Sequence, residues 1–244
     1  MSKKILLILT LFIFFTCDKK NIIIQENVTE LFDSGIKAMA ENKYDIAIKY
    51  FNKIVNEYPH SAYLIKSQFL LAECYFQKKD YEKAKLEYEF YTKTFPYAED
   101  YEKAIYKTLL CDLKLLKKTQ NLSALEELKE KFLEFQENYP LSQFSKEAEN
   151  CVIIIDSLIA QNLFDIAFLY YKNGELNGAK TYFEYIKNNF PKVSLKFRSL
   201  YYLAELAYKN NEIEKAESYL NEIIKEGDSN LKIQAQKLLA KWKK

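Results

Sequence analysis

The sequence predicts an all-α fold made of about five helix-turn-helix repeats, with a further helix covering the last one. Apolar residues recur at intervals of three and four from position 28 onward, the spacing that places side chains on one face of an α-helix. Each of the four prolines follows a stretch of this kind and therefore marks the end of a helix. Turn residues divide the stretches between prolines, so the basic unit is a helical hairpin.

The clearest hairpin runs from Leu163 to Pro191. Its two helices present apolar faces made of Leu163, Ile166, Ala167 and Tyr170, and of Ala179, Phe183 and Ile186. Gly174 lies between them, where its tolerance of a left-handed backbone suits a helix C-terminus. Because Ala167 and Ala179 are small, we expect the two helices to cross at these residues.

This hairpin resembles the tetratricopeptide (TPR) repeat, whose consensus of about 34 residues has fixed places for small, aromatic and proline residues. The resemblance implies a right-handed TPR superhelix, whose first helices line a concave face that binds peptides. Four other segments resemble the same repeat, and a final helix would cap the stack. Within a TPR-like domain of residues 28–244, the predicted repeats and cap span about 28–61, 65–98, 100–140, 142–193, 197–229 and 230–243.

The N-terminus carries a short export signal in residues 1–17, followed by a tether in residues 18–27. Lys3 and Lys4 precede an apolar run of eleven residues that only Thr10 interrupts, which is shorter than the roughly 20 residues of a spanning helix. Cys17 directly after this run resembles the acylated cysteine of bacterial lipoproteins, so we predict lipid attachment there. An ordinary secretory signal and an uncleaved anchor are the alternatives, and Asp18 leaves open which membrane holds the protein.

The composition argues against nucleic-acid binding and catalysis. Loss of Lys3 and Lys4 with the signal lowers Lys+Arg from 36 to 34, equal to Asp+Glu at 34, and Arg198 is the only arginine. The single histidine, His60, follows a proline, and no nucleophile has a histidine base nearby in the sequence. Cys74, Cys111 and Cys151 fall within apolar helical patterns, which predicts buried free thiols. We therefore expect no catalytic site, no metal site and no cofactor.

The third repeat departs most from the consensus. We predict its first helix from Tyr101 to Lys118, and a capping box of Ser123 and Glu126 opening its second helix. Its prolines are 44 residues apart, against 37 for the preceding pair, and we expect the excess in the connection at 117–121. Pairs such as Glu126 with Lys129 are predicted to lie on solvated helix faces.

The fourth repeat contains no helix-breaking residue from Leu141 to Tyr171, which predicts one helix of about 28 residues and 42 Å. It continues directly into the hairpin at Leu163. The fifth repeat ends at Gly227 and Asp228, and the cap helix is predicted from Asn230 to Lys241.

These features in this order resemble the BamD family of TPR lipoproteins, which belong to the outer-membrane β-barrel assembly machinery. The resemblance covers about Val28 to Ile224 and rests on the lipoprotein-type signal, the unequal repeat lengths and the long fourth-repeat helix. The local motifs that support it are Tyr58-Pro59-His60-Ser61, Tyr139-Pro140-Leu141-Ser142 and Tyr170-Tyr171-Lys172-Asn173-Gly174.

The resemblance implies a non-enzymatic scaffold on the periplasmic face of the outer membrane. Its C-terminal repeats would dock a POTRA domain of the barrel insertase, and its N-terminal repeats would recognise unfolded barrel precursors. The inward-facing TPR positions of repeats one and two predict a groove for such precursors, formed by Phe32, Ile36, Met39, Phe69, Glu73 and Phe76. Alternatively, several of these residues pack one repeat against the next. A Tol-Pal coordinator or a pilus-secretin pilotin, which would share the repeats and the anchor, is the alternative function.

Overall fold

The part of the chain that the computed structural model describes, residues 27–119 and 121–242, is built of eleven α-helices. The all-α fold class is thus confirmed, whereas the signal, Cys17 and most of the tether lie outside the described residues. Each helix packs against the next along the chain, and α7 also contacts α5 and α9. The helices are α1 (Val28–Ala40), α2 (Tyr44–Glu57), α3 (Leu64–Gln77), α4 (Tyr81–Thr94), α5 (Tyr101–Thr119), α6 (Leu122–Asn138), α7 (Ser145–Lys172), α8 (Leu176–Asn189), α9 (Leu195–Lys209), α10 (Ile213–Glu226) and α11 (Ser229–Trp242).

Four of the hairpins share one turn of three residues whose central residue has a left-handed backbone. The central residues are Asn42, Lys79, Gly174 and Asn211, with φ of 57°, 63°, 81° and 63°. Glycine and asparagine tolerate this conformation, and the turn lets backbone N–H groups bond to the last carbonyls of the preceding helix. The turn predicted at Gly174 is therefore one of a set.

The four prolines create a second recurrent turn, at the junctions between hairpins. The residue before each proline leaves the helical conformation, with φ between −124° and −130° and ψ between 57° and 62°. Its carbonyl accepts a hydrogen bond from the backbone N–H of the residue three positions on. In both Tyr-Pro-x-Ser junctions the serine Oγ also accepts a backbone N–H, Ser61 from Tyr63 at 3.1 Å and Ser142 from Phe144 at 3.3 Å. This turn occupies Leu141, so the prediction that α7 starts there is wrong, and the helix begins at Ser145.

The third hairpin corrects two other predictions. The second helix is capped by Asn121, whose side chain accepts from the N–H of Ala124 at 3.2 Å, and not by Ser123 and Glu126. Only positions 120 and 121 separate the helices, so the extra length is not in the connection. It lengthens the helices instead, to 19 residues in α5 and 17 in α6, against 14 in both α3 and α4.

Helix α7 is the central element of the fold, with 28 residues as predicted. It packs against α6 and α8, and against α5 and α9. Ala167 of α7 and Ala179 of α8 are fully buried in the same core cluster as Phe183. Among the described helices, α7 is long and apolar enough to cross a membrane, yet its buried face forms the protein's largest core cluster.

The last helix covers the end of the stack, as predicted. Asp228 caps it, because its Oδ1 accepts from the N–H groups of Asn230 and Leu231 at 2.9 Å each. The buried Ala235 and the partly buried leucines of α11 join the α9–α10 core cluster. Trp242 stacks on Tyr208, with ring centroids 4.2 Å apart.

Candidate peptide-binding surfaces

Phe69 does not line the predicted groove. Its side chain is only 1% exposed and lies between α3 and α4, against Tyr88 and Tyr91 at ring-centroid distances of 5.8 and 5.4 Å. Lys103 from α5 lies over the same ring at 4.8 Å. The inward TPR position thus holds a residue that packs repeat two together, and Phe69 is removed from the candidate site.

The residues predicted on α1 differ in how far they are available to a ligand. Phe32 stacks on Tyr63 at 4.7 Å and contacts Phe51 edge-on at 6.1 Å, so one side of its ring is already covered. Met39 packs partly against the same N-terminal core cluster. Ile36 is 40% exposed and is the most accessible apolar residue of the predicted set. A ligand at this surface would contact Ile36 first.

Glu73 and Phe76 of α3 form a polar and aromatic cluster with α4 and α5. Glu73 accepts a hydrogen bond from the Tyr88 hydroxyl and pairs with Lys107 Nζ at 3.3 Å. The Lys107 ammonium lies 4.2 Å from the centroid of the Phe76 ring. Burial, and then the charge of Glu73, raise the pKa of Tyr88 far above its ordinary value, so its hydroxyl remains a donor. Sequence reasoning included Glu73 and Phe76 but missed Lys107, which is 34 residues from Glu73.

A second cluster that the sequence reasoning missed joins α7 to α9. The Tyr171 hydroxyl donates to Glu205 Oε2 at 2.9 Å, and Lys209 Nζ lies 3.5 Å from the same hydroxyl. Burial, followed by the hydrogen bond to Glu205, raises the pKa of Tyr171 to about 12. Glu205 and Lys209 are four residues apart on one helix face, and this spacing was the signal in the sequence.

The only arginine borders this second cluster. The guanidinium of Arg198 lies 4.4 Å from the centroid of the Phe164 ring, yet the residue is exposed. It opens onto a cleft of about 370 Å³ between α9 and the start of α11, lined with Tyr201, Tyr202, Leu231 and polar residues. Aromatic and arginine side chains at one open cleft are the residues that most often dominate protein–protein interfaces.

Lys129 and the three cysteines of the described residues have structural roles. Lys129 does not pair with Glu126 on a solvated face as predicted, but with Asp156 of α7 at 2.7 Å. Cys74, Cys111 and Cys151 are buried free thiols, as predicted. Among the described residues, no group of three His, Cys, Asp or Glu side chains could hold a metal ion.

Comparison with known families identifies the protein family of this chain. A family model named YfiO and described as an outer membrane lipoprotein matches residues 24–223, which is most of the chain. The chain belongs to the YfiO family. The family assignment confirms the resemblance of the sequence to BamD-type lipoproteins. A comparison with curated proteins gave no match.

Several solved structures are similar to this YfiO-family chain at low identity. TTC0263 of Thermus thermophilus is 13% identical with a TM-score of 0.37, and the match covers 87% of this chain and 99% of TTC0263. BtubC of P. vanneervenii is 12% identical with a TM-score of 0.33, covering 88% and 81%. A tetratricopeptide repeat protein of Parabacteroides merdae ATCC 43184 is 13% identical with a TM-score of 0.30, covering 88% and 87%.

Family membership and helical hairpins together give the coarse function. The YfiO-family chain is a lipoprotein associated with the outer membrane, and its role is protein–protein interaction. Two surfaces on the first helices of the hairpins are available for that role. They are the N-terminal surface, formed by Phe32, Ile36, Met39, Glu73, Phe76 and Lys107, and the C-terminal surface, formed by Tyr171, Arg198, Tyr201, Tyr202, Glu205 and Lys209.

Proposed function

We propose that this chain is a non-catalytic assembly factor for outer-membrane β-barrel proteins. In this proposal Cys17 carries the acyl chains, and the helical domain lies in the periplasm against the outer membrane. The observation that carries the proposal is the YfiO-family assignment over residues 24–223. The described structure supports a scaffold role, because polar contacts such as Glu73 with Lys107, Lys129 with Asp156 and Tyr171 with Glu205 join neighbouring helices.

The N-terminal surface is proposed to bind unfolded barrel precursors. An extended precursor strand presents alternate side chains to one face, and apolar ones would contact Ile36, Met39 and the free side of Phe32. Glu73 and Lys107 already neutralise each other at 3.3 Å, so they would add little net charge to this contact. Binding should therefore depend more on apolar side chains of the precursor than on its charge.

The C-terminal surface is proposed to dock a POTRA domain of the barrel insertase. It presents Arg198, Tyr201 and Tyr202 around an open cleft, beside the Tyr171–Glu205–Lys209 cluster. Such a site can supply rigid aromatic anchors in its centre and charge complementarity at its rim. The two proposed partners would then occupy different ends of the same molecule.

The N-terminal surface is tested by Ile36→Lys, with Ile46→Lys as the matched control. The two isoleucines are 40% and 45% exposed, but Ile46 lies on the second helix of the hairpin. We expect Ile36→Lys to weaken binding of a barrel-precursor peptide about tenfold, and Ile46→Lys to leave it unchanged. Equal binding by both variants would contradict the proposed precursor site. Phe32 is unsuitable for this test because a charge there would disturb the core.

The assembly role itself is tested by capture and depletion. The tagged, membrane-extracted protein should capture a barrel protein with POTRA domains, and Arg198→Glu should reduce that capture. Depletion of the protein should lower the amounts of outer-membrane barrels. If neither effect occurs, the chain serves another periplasmic complex, and a Tol-Pal or secretin partner among the captured proteins would identify it.

A further inference from the structure

One edge of the first three hairpins collects the start of α1 and the proline junctions. First helices begin at this edge and second helices end there, whereas the left-handed turns lie at the opposite edge. We name it the junction edge and define it as Asn27 together with the residues that follow the first three prolines, His60, Tyr97 and Leu141.

Contacts between successive hairpins hold this edge together. Phe32 in the second turn of α1 stacks on Tyr63 of the first junction at 4.7 Å. Lys66 at the start of α3 pairs with Asp100 of the second junction at 2.7 Å. Tyr139, at the third junction, neighbours Tyr101 at the start of α5, and burial followed by this neighbour raises the pKa of Tyr139. The junctions therefore form a continuous row.

Two apolar side chains project from this row without covering any part of the protein. Tyr97 is 100% exposed and Leu141 is 98% exposed, whereas the next most exposed large hydrophobic residue, Leu86, is 63% exposed. Each follows a proline whose turn directs it outward. A tyrosine and a leucine at the tips of rigid turns have the chemistry of side chains that enter a membrane–water interface.

The tether of the predicted lipid anchor joins the helical domain at this edge, at Asn27. Asn27 is ten positions after Cys17, and a fully extended chain of that length reaches about 35 Å. We propose that in the lipid-anchored protein the junction edge faces the bilayer, and that Tyr97 and Leu141 enter its headgroup region. The inference rests on the lipid attachment in the proposed function, and it adds a defined orientation of the domain on the membrane.

The charges around Tyr97 indicate which kind of membrane surface it meets. Glu99, Asp100 and Glu102 lie within five positions of it, against Lys93 and the Lys66 that already pairs with Asp100. Around Tyr97, acidic side chains therefore outnumber basic ones, which does not favour anionic lipids. Contact should occur on a zwitterionic surface and should change little with salt.

Tryptophan quenching tests this orientation. The mature chain is attached through Cys17 to phosphatidylcholine vesicles that contain a maleimide lipid, and the other thiols are buried. Tyr97→Trp and Leu141→Trp are compared with Glu41→Trp, an exposed position at the opposite end of α1. With brominated acyl chains, we expect the first two to lose about half of their added emission, and Glu41→Trp almost none. Trp242, the only native tryptophan, supplies a background that is subtracted.

The same measurement can overturn the proposal. If bromolipid quenches the three introduced tryptophans equally, or quenches none of them, the junction edge does not contact the bilayer. The absence of quenching is also the result expected if Tyr97 and Leu141 contact a protein partner in the cell and not the bilayer. Circular dichroism checks that each variant is folded. Because the maleimide lipid supplies the anchor, failure here is separate from failure of acylation, which the mass of the mature chain from cells reports.

Discussion

The ring of Phe51 lies directly against the backbone of Gly35, at the crossing of α1 and α2. A Cβ atom at Gly35 would stand 2.7 Å from Phe51 Cε1, closer than any real contact. Gly35→Ala should therefore destabilise the protein by about 1–3 kcal/mol, although alanine favours a helix more than glycine does. Urea unfolding measures the change.

A double variant separates this clash from other causes. The corresponding pair in repeat five is Ala204 with Leu220, both fully buried, so a smaller residue at 51 makes room for a methyl group at 35. Adding Phe51→Leu to Gly35→Ala should cost less than the two single changes combined. Simple additivity would show that overpacking is not the cause.

The left-handed turns predict opposite effects for two substitutions. Lys79 has φ of 63°, a backbone conformation that is strained for lysine and free of strain for glycine. Lys79→Gly should therefore stabilise the protein by about 0.5–1 kcal/mol. A Cβ at Gly174, with φ of 81°, would meet no atom within 4 Å, so Gly174→Ala should cost about 1 kcal/mol through backbone strain alone. Thermal unfolding measures both, and Asn42→Gly, at a residue that tolerates this φ, should change little.

The Glu73–Lys107 pair should be worth more than a surface ion pair. The two side chains are only 12% and 15% exposed, so Lys107→Met leaves a carboxylate largely out of water. We expect that variant to lose about 3 kcal/mol of unfolding free energy, and Lys107→Met with Glu73→Gln to recover most of it. Glu127 and Lys131 provide the exposed comparison, where Lys131→Met should change stability by less than about 0.5 kcal/mol. Similar losses at Lys107 and Lys131 would refute the distinction.

The buried thiols predict a loss of stability in mild alkali. Burial raises the pKa of Cys74 and of Cys111 to about 12, whereas an unfolded thiol titrates near 8.5. Below about pH 8.5 both states keep the protons; above it only the unfolded chain releases them, so stability falls by up to about 1.4 kcal/mol per pH unit and thiol. Urea unfolding between pH 8 and 9.5 should show this slope, and Cys111→Ala should reduce it.

The same burial can be checked by labelling. In a Cys17→Ser chain, the three remaining thiols should react with a disulfide reagent only as fast as the protein opens. All three should react at once in concentrated urea. Rapid labelling of a folded chain would show that at least one thiol is accessible.

Local signals in the sequence were enough to predict most of the fold. Prolines and Gly174 act on the backbone of their own neighbours, so helix ends and turns could be read from short stretches. The choice of Asn121 over Ser123 as a cap depends on where the helix starts, and both residues can cap. Leu141 has no helix-breaking chemistry of its own, and the Pro140 turn extends over it.

The candidate surfaces were less predictable because they depend on contacts between distant residues. TPR position alone assigned Phe69 to the groove, but the tyrosines of α4 enclose it. Lys107 and Tyr171 meet their partners 34 residues away along the chain, where no short pattern connects them. Exposure of Tyr97 and Leu141 likewise follows from the shape of the turns and not from their apolar character.

The length of α7 has a mechanical consequence. One uninterrupted helix of 28 residues packs against both α6 and α8, so it belongs to two neighbouring hairpins at once. No turn interrupts α7 between these contacts, and the end of the helix carries Tyr171 of the C-terminal surface. In the proposed function, this helix would help to hold the precursor surface and the insertase surface at a set distance and angle.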